Sequence, residues 1–158
     1  MLFTIVIVVV LSFGLVVFFG APYLPTLNNQ KIAALELLSL KPGQTLLEAG
    51  SGDGRVLKAA AERGLYAIGY ELNPLLVIIS WFVTLKHRDK VRIVWGNYWS
   101  KNWKEADGVY VFLYTKYMKK LDDKLSKLGK NVKLVSVIYR IPGKKPVKEK
   151  NGVFLYQY

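Results

Sequence analysis

The amino-acid sequence predicts an α/β fold built on an open, mostly parallel sheet, preceded by an N-terminal transmembrane helix. Three observations lead to this prediction. Short apolar runs alternate with helix-forming segments, and a glycine-rich turn joins the first of these runs to a helix. The dipeptide Asn151-Gly152 near the C-terminus is typical of a tight hairpin. The first stretch of the chain is apolar throughout. The sheet is therefore expected to be parallel except for an antiparallel C-terminal hairpin.

The glycine-rich turn is the feature around which the rest of the chain is organised. A strand is predicted over Thr45–Ala49, and it carries a single carboxylate, Glu48. Three glycines follow at alternate positions, which lets the backbone turn tightly and approach a ligand closely; these are Gly50, Gly52 and Gly54. An alanine-rich helix is predicted next, over Arg55–Arg63.

A second acidic residue is expected at the same edge of the sheet. The second strand is predicted over Ala67–Leu72 and delivers Glu71 near its end. The carboxyl ends of neighbouring parallel strands lie at one edge of a sheet, where α/β proteins bind ligands. Glu48, the glycine turn and Glu71 are therefore expected to form a ligand site.

The nature of the ligand follows from the two carboxylates. A dinucleotide fingerprint would place a third glycine where this chain has Arg55, and its pyrophosphate would be repelled by Glu48. Glu48 suits an ammonium group instead, and Glu71 is placed to accept hydrogen bonds from ribose hydroxyls. S-adenosylmethionine combines a ribose with a cationic amino-acid end and has no phosphate. A nicotinamide cofactor, or glycines that serve only packing, remain the alternatives.

LLEAGSGDGRV followed by GYELNP resembles the seven-strand, S-adenosylmethionine-dependent methyltransferases. More narrowly, the chain is similar to the protein-lysine methyltransferases that act on the rotor-ring subunit of ATP synthase and on the adenine nucleotide translocase. The similarity runs from about Pro22 to the C-terminus and includes the segment PYLPT. The resemblance implies a Rossmann-like class I methyltransferase sheet.

The resemblance also implies which residues form the site. The cofactor-binding residues expected are Glu48, Gly50, Ser51, Gly52, Asp53, Gly54, Arg55, Glu71, Leu72, Asn73, Asn97, Tyr98 and Trp99. Asn97 would offer its amide oxygen to the adenine amine, and Tyr98 or Trp99 would stack on the ring. Trp103, four residues after Trp99, belongs as readily to a structural aromatic cluster.

The residues expected to face the transferred methyl group follow the fourth strand, predicted over 108–114. They are Tyr114 and Thr115, together with Tyr23 of the PYLPT segment. Enzymes that methylate amino groups of nucleic-acid bases often carry an Asn/Asp-Pro-Pro-aromatic tetrad there, whereas this chain has LYTK. That departure argues against base methylation. PYLPT is also typical of an elbow at the membrane interface, and the two interpretations are compatible.

Leu2–Gly20 contains no charged residue and spans about 28 Å as a helix, enough to cross a bilayer core. A signal peptide is disfavoured because no basic residue precedes the run and Phe18-Phe19-Gly20 is a poor cleavage site. A buried helix of a soluble protein is disfavoured because the run is apolar all round. The predicted organisation is an anchor (1–20), a junction with a leading helix (21–44) and a methyltransferase domain (45–158).

The formal net charge of +12 lies entirely after this anchor, with eleven Lys or Arg against three acids in Lys119–Tyr158. The positive-inside tendency predicts a single-pass membrane protein whose C-terminal domain is cytoplasmic. Basic residues close to a bilayer are also drawn to an anionic lipid surface. Nucleic-acid binding is the rival explanation of the charge and is less favoured, because the anchor confines the domain to a membrane.

The sequence predicts no metal site. It contains no cysteine, and its one histidine, His87, lies among basic residues as a solvated side chain would. The remaining expected elements are a leading helix capped by Asn28 or Asn29, an apolar helix from Pro74 to about Lys86 capped by Asn73, a strand at Val91–Trp95, a helix at Tyr117–Leu128 and a strand at Lys133–Arg140. The apolar composition of the helix from Pro74 is compatible with burial and with membrane contact alike.

The function expected is therefore methylation of a lysine in a membrane protein, with the rotor-ring subunit of ATP synthase as the first candidate substrate. Methylation of a lipid or lipophilic small molecule is the alternative within the same chemistry. A membrane-bound module that senses S-adenosylmethionine without transferring its methyl group is the alternative that is not an enzyme. The sequence specifies no oligomeric state.

Overall fold

The computed structural model describes residues 26–158, which form one seven-stranded sheet with helices on both faces. The strands are β1 (Thr45–Ala49), β2 (Tyr66–Glu71), β3 (Val91–Trp95), β4 (Gly108–Val111), β5 (Lys133–Val137), β6 (Lys148–Lys150) and β7 (Val153–Gln157). Their order across the sheet is β3-β2-β1-β4-β5-β7-β6. Strands β1 to β5 are mutually parallel, and β7 is antiparallel to β5 and β6. The predicted sheet is confirmed.

Within residues 26–158, four α-helices accompany the sheet: α1 (Asn28–Leu38), α2 (Arg55–Ala61), α3 (Pro74–Val83) and α4 (Thr115–Ser126). Two 3-10 turns occupy Leu85–His87 and Tyr98–Ser100. One core forms where α1 and α2 pack on the sheet and includes Leu38, Leu57 and Val135. The other forms beneath α4, where Met118 and Leu121 share a cluster with Trp103. Burial of both sheet faces explains why the parallel strands are continuous apolar runs.

The order in which the chain adds strands to the sheet reverses at β1. After β1 the chain proceeds outward to β2 and β3, then returns to add β4 and β5 on the other side. In such sheets, neighbouring connections diverge at this point and open a crevice beyond the carboxyl ends of the strands. The glycine turn that follows β1 therefore lies at the place where α/β proteins bind ligands.

Two strands end earlier than predicted, and the ends have local causes. β4 pairs with β1 only as far as Ala49, opposite Val111, because the glycine turn begins there and removes the partner strand. Tyr114 therefore occupies the N-cap position of α4, and Thr115 begins the helix. β5 ends at Val137 because Ile138 has φ of 67°, which lies outside the range of strand residues.

The expected cap of the leading helix was wrong. Leu27 occupies the N-cap position of α1 and makes no side-chain cap, so Asn28 and Asn29 lie inside the helix. Asn29 Oδ1 accepts a hydrogen bond from the Gln30 N–H at 2.9 Å. The predicted cap of α3 is confirmed, since Asn73 Oδ1 accepts from the Leu75 N–H at 2.9 Å.

The C-terminal hairpin forms as predicted. Asn151 and Gly152 have φ of 51° and 73°, and a two-residue type I′ turn requires positive φ at both central positions. The turn joins β6 to β7, and β7 adds to the sheet beside β5.

The predicted anchor, Leu2–Gly20, lies outside the described residues, as does Tyr23. Between residues 26 and 158, no helix has both the length and the apolar character needed to cross a bilayer.

Candidate active site

The glycine turn extends the carboxyl end of β1 and is held against β2 by its backbone. The N–H groups of Gly50 and Ser51 both donate to the carbonyl of Tyr70, at 2.9 and 3.0 Å. Gly50 has φ of 86°, and a side chain there would meet no atom within 4 Å. The backbone at Gly50 is therefore open on the side that a ligand would approach.

Gly54 has a different role from Gly50. It also has positive φ, but a Cβ there would lie 2.8 Å from Ser80 Cβ, so the glycine lets α3 pack closely against the start of α2. A Cβ on Gly69 of β2 would lie 2.7 Å from Ser51 Oγ. Gly54 thus lets α3 approach the turn, and Gly69 lets the Ser51 side chain lie against β2.

Glu71 ties the turn to the start of α3. Its Oε2 accepts a hydrogen bond from the Gly52 N–H at 2.8 Å. Its Oε1 accepts from the N–H groups of Leu72 and Asn73, at 2.9 and 2.8 Å. Glu71 is buried, and each carboxylate oxygen can accept more than one hydrogen bond. The side chain thus holds the turn in shape while its Oε2 keeps capacity for a further donor.

Glu48 is buried on the same face of the sheet as Glu71. Its burial raises the pKa well above the ordinary value of 4.5, and the nearby carboxylates of Asp53 and Glu71 add to this effect. Arg55 opposes it more weakly. Three acids around one turn favour a cationic ligand, which would lower the cost of ionising Glu48.

Three buried polar atoms at this edge have no hydrogen-bond partner within the described chain: Glu48 Oε2, Ser51 Oγ and Asn73 Nδ2. Such atoms are rare in native proteins, because leaving one unpaired costs about 1–3 kcal/mol. They comprise an acidic acceptor, a hydroxyl and an amide donor. That set fits the ammonium and carboxylate ends of an amino acid together with the hydroxyls of a ribose.

Asp53 and Arg55 connect the turn to the junction that precedes α1. The guanidinium of Arg55 contacts both oxygens of Asp53, with the shortest contact at 2.6 Å, and its Nη1 lies 3.4 Å from the carbonyl of Thr26. Thr26 is the last residue of the PYLPT segment, and its Oγ1 accepts a hydrogen bond from the Tyr110 hydroxyl at 2.8 Å. Burial, with Glu48 nearby, raises the pKa of Tyr110, which stays a neutral donor. The one described residue of PYLPT therefore lies beside the site.

Asn97, Tyr98 and Trp99 follow β3 at the same edge. Asn97 Oδ1, expected to face an adenine amine, accepts instead from the Trp99 N–H at 3.0 Å and caps the 3-10 turn. The rings of Tyr98 and Trp99 lie 4.9 Å apart and pack on the core beneath α4. Burial raises the pKa of Tyr98. Trp103 is fully buried, as a member of the structural cluster would be.

Tyr114 and Thr115 differ in their surroundings at the start of α4. Thr115 is exposed, whereas Tyr114 is half-buried with its ring 5.4 Å from that of Tyr139. Phe112 extends this group, 6.3 Å from Tyr139. The three rings stand beyond the ends of β4 and β5, on the side of the site away from Glu71.

Tyr139 was not among the residues predicted from the sequence. It is brought back over the sheet by a tight turn at Ile138, in which the Tyr139 N–H donates to the Val137 carbonyl at 2.8 Å. The Ile138 N–H donates to the Gly152 carbonyl, and Ser136 Oγ donates to the Tyr139 carbonyl at 2.6 Å. Positive φ in a β-branched residue is strained, and such strain clusters at functional sites. The sequence gives one sign of this position, which is that a tyrosine directly follows the apolar run of β5.

A family model described as the ANTKMT methyltransferase domain matches residues 48–148, which include both carboxylates, the glycine turn and the tyrosines beyond β4 and β5. The chain belongs to the ANTKMT methyltransferase domain family. The glycine turn and Glu71 thus lie in the matched region of an ANTKMT methyltransferase domain.

The similarity of the chain to individual proteins agrees with the family assignment. The chain is 33% identical over 108 residues to the ATP synthase C-subunit lysine N-methyltransferase of Xenopus laevis, covering 66% of this chain and 46% of that protein. It is 32% identical over 130 residues to the adenine nucleotide translocase lysine N-methyltransferase of Mus musculus, covering 80% and 56%. The chain thus spans about half the length of these curated relatives.

A solved structure shares the fold. The RNA methyltransferase from Salinibacter ruber, in complex with S-adenosyl-L-homocysteine, superposes with a TM-score of 0.78 at 25% identity. The superposition covers 85% of this chain and 92% of that one. The seven-stranded sheet therefore belongs to the Rossmann-like methyltransferase fold.

Proposed function

We propose that this chain is an S-adenosylmethionine-dependent protein-lysine N-methyltransferase that acts on a membrane protein. The observation that carries the proposal is the set of buried polar atoms around the glycine turn, led by Glu48 Oε2, that have no partner within residues 26–158. Membership of the ANTKMT methyltransferase domain family supports it. The names of the relatives support lysine in the C subunit of ATP synthase, or in the adenine nucleotide translocase, as the first candidate targets.

The acidic character of the turn favours S-adenosylmethionine over a nicotinamide cofactor. A pyrophosphate at Gly50 would lie against the carboxylates of Glu48, Asp53 and Glu71. The negative charges of Asp53 and Glu71 would oppose the pyrophosphate, and Glu48 would have to keep its proton beside it. A sulfonium nucleoside brings positive charge to the same place.

In the proposed complex, the chain binds the cofactor at two ends. Glu48 gives up its proton and pairs with the ammonium of the amino-acid tail, and Glu71 Oε2 accepts from a ribose hydroxyl while it continues to hold Gly52. Gly50 lets the backbone approach the tail, because nothing occupies the space beside its Cα. The cofactor supplies a methyl group bonded to a positively charged sulfur.

The acceptor is proposed to enter past Tyr114 and Tyr139. In the transfer, the lone pair of the lysine nitrogen forms the new C–N bond as the C–S bond breaks, so the nitrogen must first lose a proton. Aromatic walls exclude water and disfavour the ammonium form, which lowers the pKa of the incoming lysine. The lysine releases its proton to solvent water before its nitrogen passes between the rings. The contribution of the chain is alignment of the nitrogen with the methyl group in a dry channel.

Base methylation in RNA is not favoured, although the Salinibacter ruber neighbour is an RNA methyltransferase. The residues beyond β4 are Leu113, Tyr114, Thr115 and Lys116, with no amide and no proline. They do not provide the side-chain acceptor that a flipped base needs for its amino group.

Radiolabelled S-adenosylmethionine added to native membranes tests the proposal. We expect label on a membrane-protein band, with methyllysine recovered after acid hydrolysis, and no label when the purified protein carries Glu71→Ala. Label in the organic extract instead would identify a lipid acceptor and overturn the protein-lysine assignment. Cofactor binding without transfer to either fraction would leave a sensing module and overturn the enzyme assignment.

We also propose that the protein is a single-pass membrane protein with its C-terminal domain in the cytoplasm. The support is the uncharged run Leu2–Gly20, followed by a strongly basic remainder. Leu11→Arg places a charge near the centre of that run and should release the protein from membranes into a high-salt wash. A matched change to the described domain, Leu27→Arg, should not, because Leu27 is already exposed. Unchanged fractionation of Leu11→Arg would refute the anchor.

A further inference from the structure

Helix α3 exposes apolar residues and buries a polar one, which is the reverse of an ordinary surface helix. All ten residues of Pro74–Val83 except Ser80 are apolar, yet only Leu76 and Ser80 are buried. Ser80 is fully buried, whereas Ile78 and Phe82 are 53% and 62% exposed. A surface helix in water normally directs its apolar stripe to the core. The outward face of α3 is therefore left without a partner among the described residues.

The outward face is continuous. Ile78 and Phe82 are four residues apart within α3, so their side chains lie in one row. Trp81 lies beside Phe82, and Leu85 begins the 3-10 turn that follows the helix. All four are exposed, together with Ile79. Scattered exposed apolar residues are normal, but a contiguous patch marks an interaction surface.

The inward face explains why α3 cannot turn this patch to the core. Ser80 packs against Gly54, and Thr84 Oγ1 donates to the Ser80 carbonyl at 2.8 Å. Gly54 leaves room for a serine and no more, since even a Cβ at that glycine would be too close. Asn73 caps the helix from the same side. The rotation of α3 is thereby set by the cofactor-site turn.

Positive charge surrounds the end of the patch. Lys86, Arg88 and Lys90 follow α3 directly, with Asp89 the only acid between them. The Arg88 guanidinium stacks over the Trp81 ring, with its central carbon 3.7 Å from the ring centre. Trp81 in turn meets Phe82 edge to face at 5.2 Å. Tryptophan beside arginine suits the boundary between acyl chains and anionic headgroups.

We propose that the α3 patch (Ile78, Ile79, Trp81, Phe82 and Leu85) lies in the interface of an anionic bilayer. Apolar side chains enter the acyl region while Lys86, Arg88 and Lys90 contact lipid phosphates. The first described residue, Thr26, accepts a hydrogen bond from Tyr110 of β4. The uncharged run Leu2–Gly20 precedes it in the sequence. The inference concerns a second membrane contact and does not require that methyl transfer occur.

The test uses the full chain, reconstituted in vesicles of phosphatidylcholine with or without phosphatidylglycerol. The sequence has no cysteine, so Phe82→Cys takes a single nitroxide label. Val147→Cys is the matched control, because Val147 is similarly exposed but lies far along the chain next to β6. In anionic vesicles we expect the label at 82 to be relaxed several-fold more by dissolved oxygen than by a water-soluble nickel chelate. The label at 147 should show the reverse.

Each alternative occupant gives a distinct result that overturns the proposal. A label at 82 that reports water in anionic vesicles excludes bilayer contact. Protection from oxygen and nickel alike shows that protein covers the patch, as the N-terminal residues of the same chain would. Dipolar broadening that disappears on dilution with unlabelled protein shows a second copy. Equal oxygen access in neutral vesicles overturns the role given to Lys86, Arg88 and Lys90.

Discussion

Glu71→Ala should reduce the affinity for S-adenosylhomocysteine by about a hundredfold or more. The change removes the acceptor for the N–H groups of Gly52, Leu72 and Asn73, as well as the proposed ribose contact. Hydrogen bonds to a charged group contribute about 1.5–3 kcal/mol each, and about 1.4 kcal/mol corresponds to tenfold in affinity. Losing the proposed ribose contact accounts for about tenfold to a hundredfold, and displacement of the glycine turn that Glu71 holds through Gly52 adds to it. Isothermal titration calorimetry measures this change in affinity.

Two further variants separate loss of the ligand contact from loss of the turn. Glu105→Ala removes an exposed acid, paired with Arg92 at 2.7 Å near the start of β3, and should bind normally. Glu71→Gln keeps one carbonyl oxygen to accept from Leu72 and Asn73, so it should fold and bind with intermediate affinity. Full affinity in Glu71→Ala would remove Glu71 from the site. Thermal unfolding of each variant checks that the domain is intact.

Cofactor binding should strengthen as the pH rises, and Glu48→Gln should abolish this dependence. Burial, and then the charges of Asp53 and Glu71, raise the pKa of Glu48 in the free protein, so its carboxyl holds a proton above the ordinary value of 4.5. Pairing with an ammonium requires the carboxylate. Below the raised pKa, binding therefore includes the cost of releasing that proton, and the cost disappears above it.

The raised pKa of Glu48 also predicts how the stability of the folded protein changes with pH. Between 4.5 and the raised pKa, the folded state binds more protons at Glu48 than the unfolded state does, so stability falls as pH rises through that window. Glu48→Gln cannot ionise and should resist unfolding better than the unchanged protein at neutral pH, while binding at least about tenfold more weakly.

Calorimetry in two buffers of different ionisation enthalpy measures the proton release directly. Below the raised pKa of Glu48, the unchanged protein should release a proton on binding, and Glu48→Gln should not. Glu62→Gln is the matched control, because Glu62 is exposed beside Lys58 and lies away from the turn. Equal proton release from Glu48→Gln and the unchanged protein would show that Glu48 does not meet the ligand's ammonium.

The position of the site could be predicted from the sequence because it depends on local patterns. Glu48, the three glycines and Glu71 each follow or end a short apolar run, and parallel strands bring such ends to one edge. Asn73 could be assigned as a cap for the same reason, since its partner is two residues away. These contacts need little information from the rest of the chain.

The place of Tyr139 on the proposed acceptor side could not be predicted, because it depends on distant contacts. The turn at Ile138 is held by the carbonyl of Gly152, in the hairpin that follows, and only this turn brings Tyr139 beside Tyr114. The exposure of α3 was equally hidden, since an apolar run has the same composition whether it is buried or not. Its orientation follows from the contact between Gly54 and Ser80, which no periodicity reveals.

The border of the sheet formed by β6 is built to resist pairing with the sheet of another copy. Strand β6 is only three residues long, Lys148 to Lys150, with every residue exposed and charged. Glu149 is paired with Arg140 at 2.8 Å, and Lys150 with Glu36 of α1 at 2.7 Å. A neighbouring strand would have to break these pairs and desolvate charges in order to dock. Copies at high local concentration are thus protected against polymerising through this border.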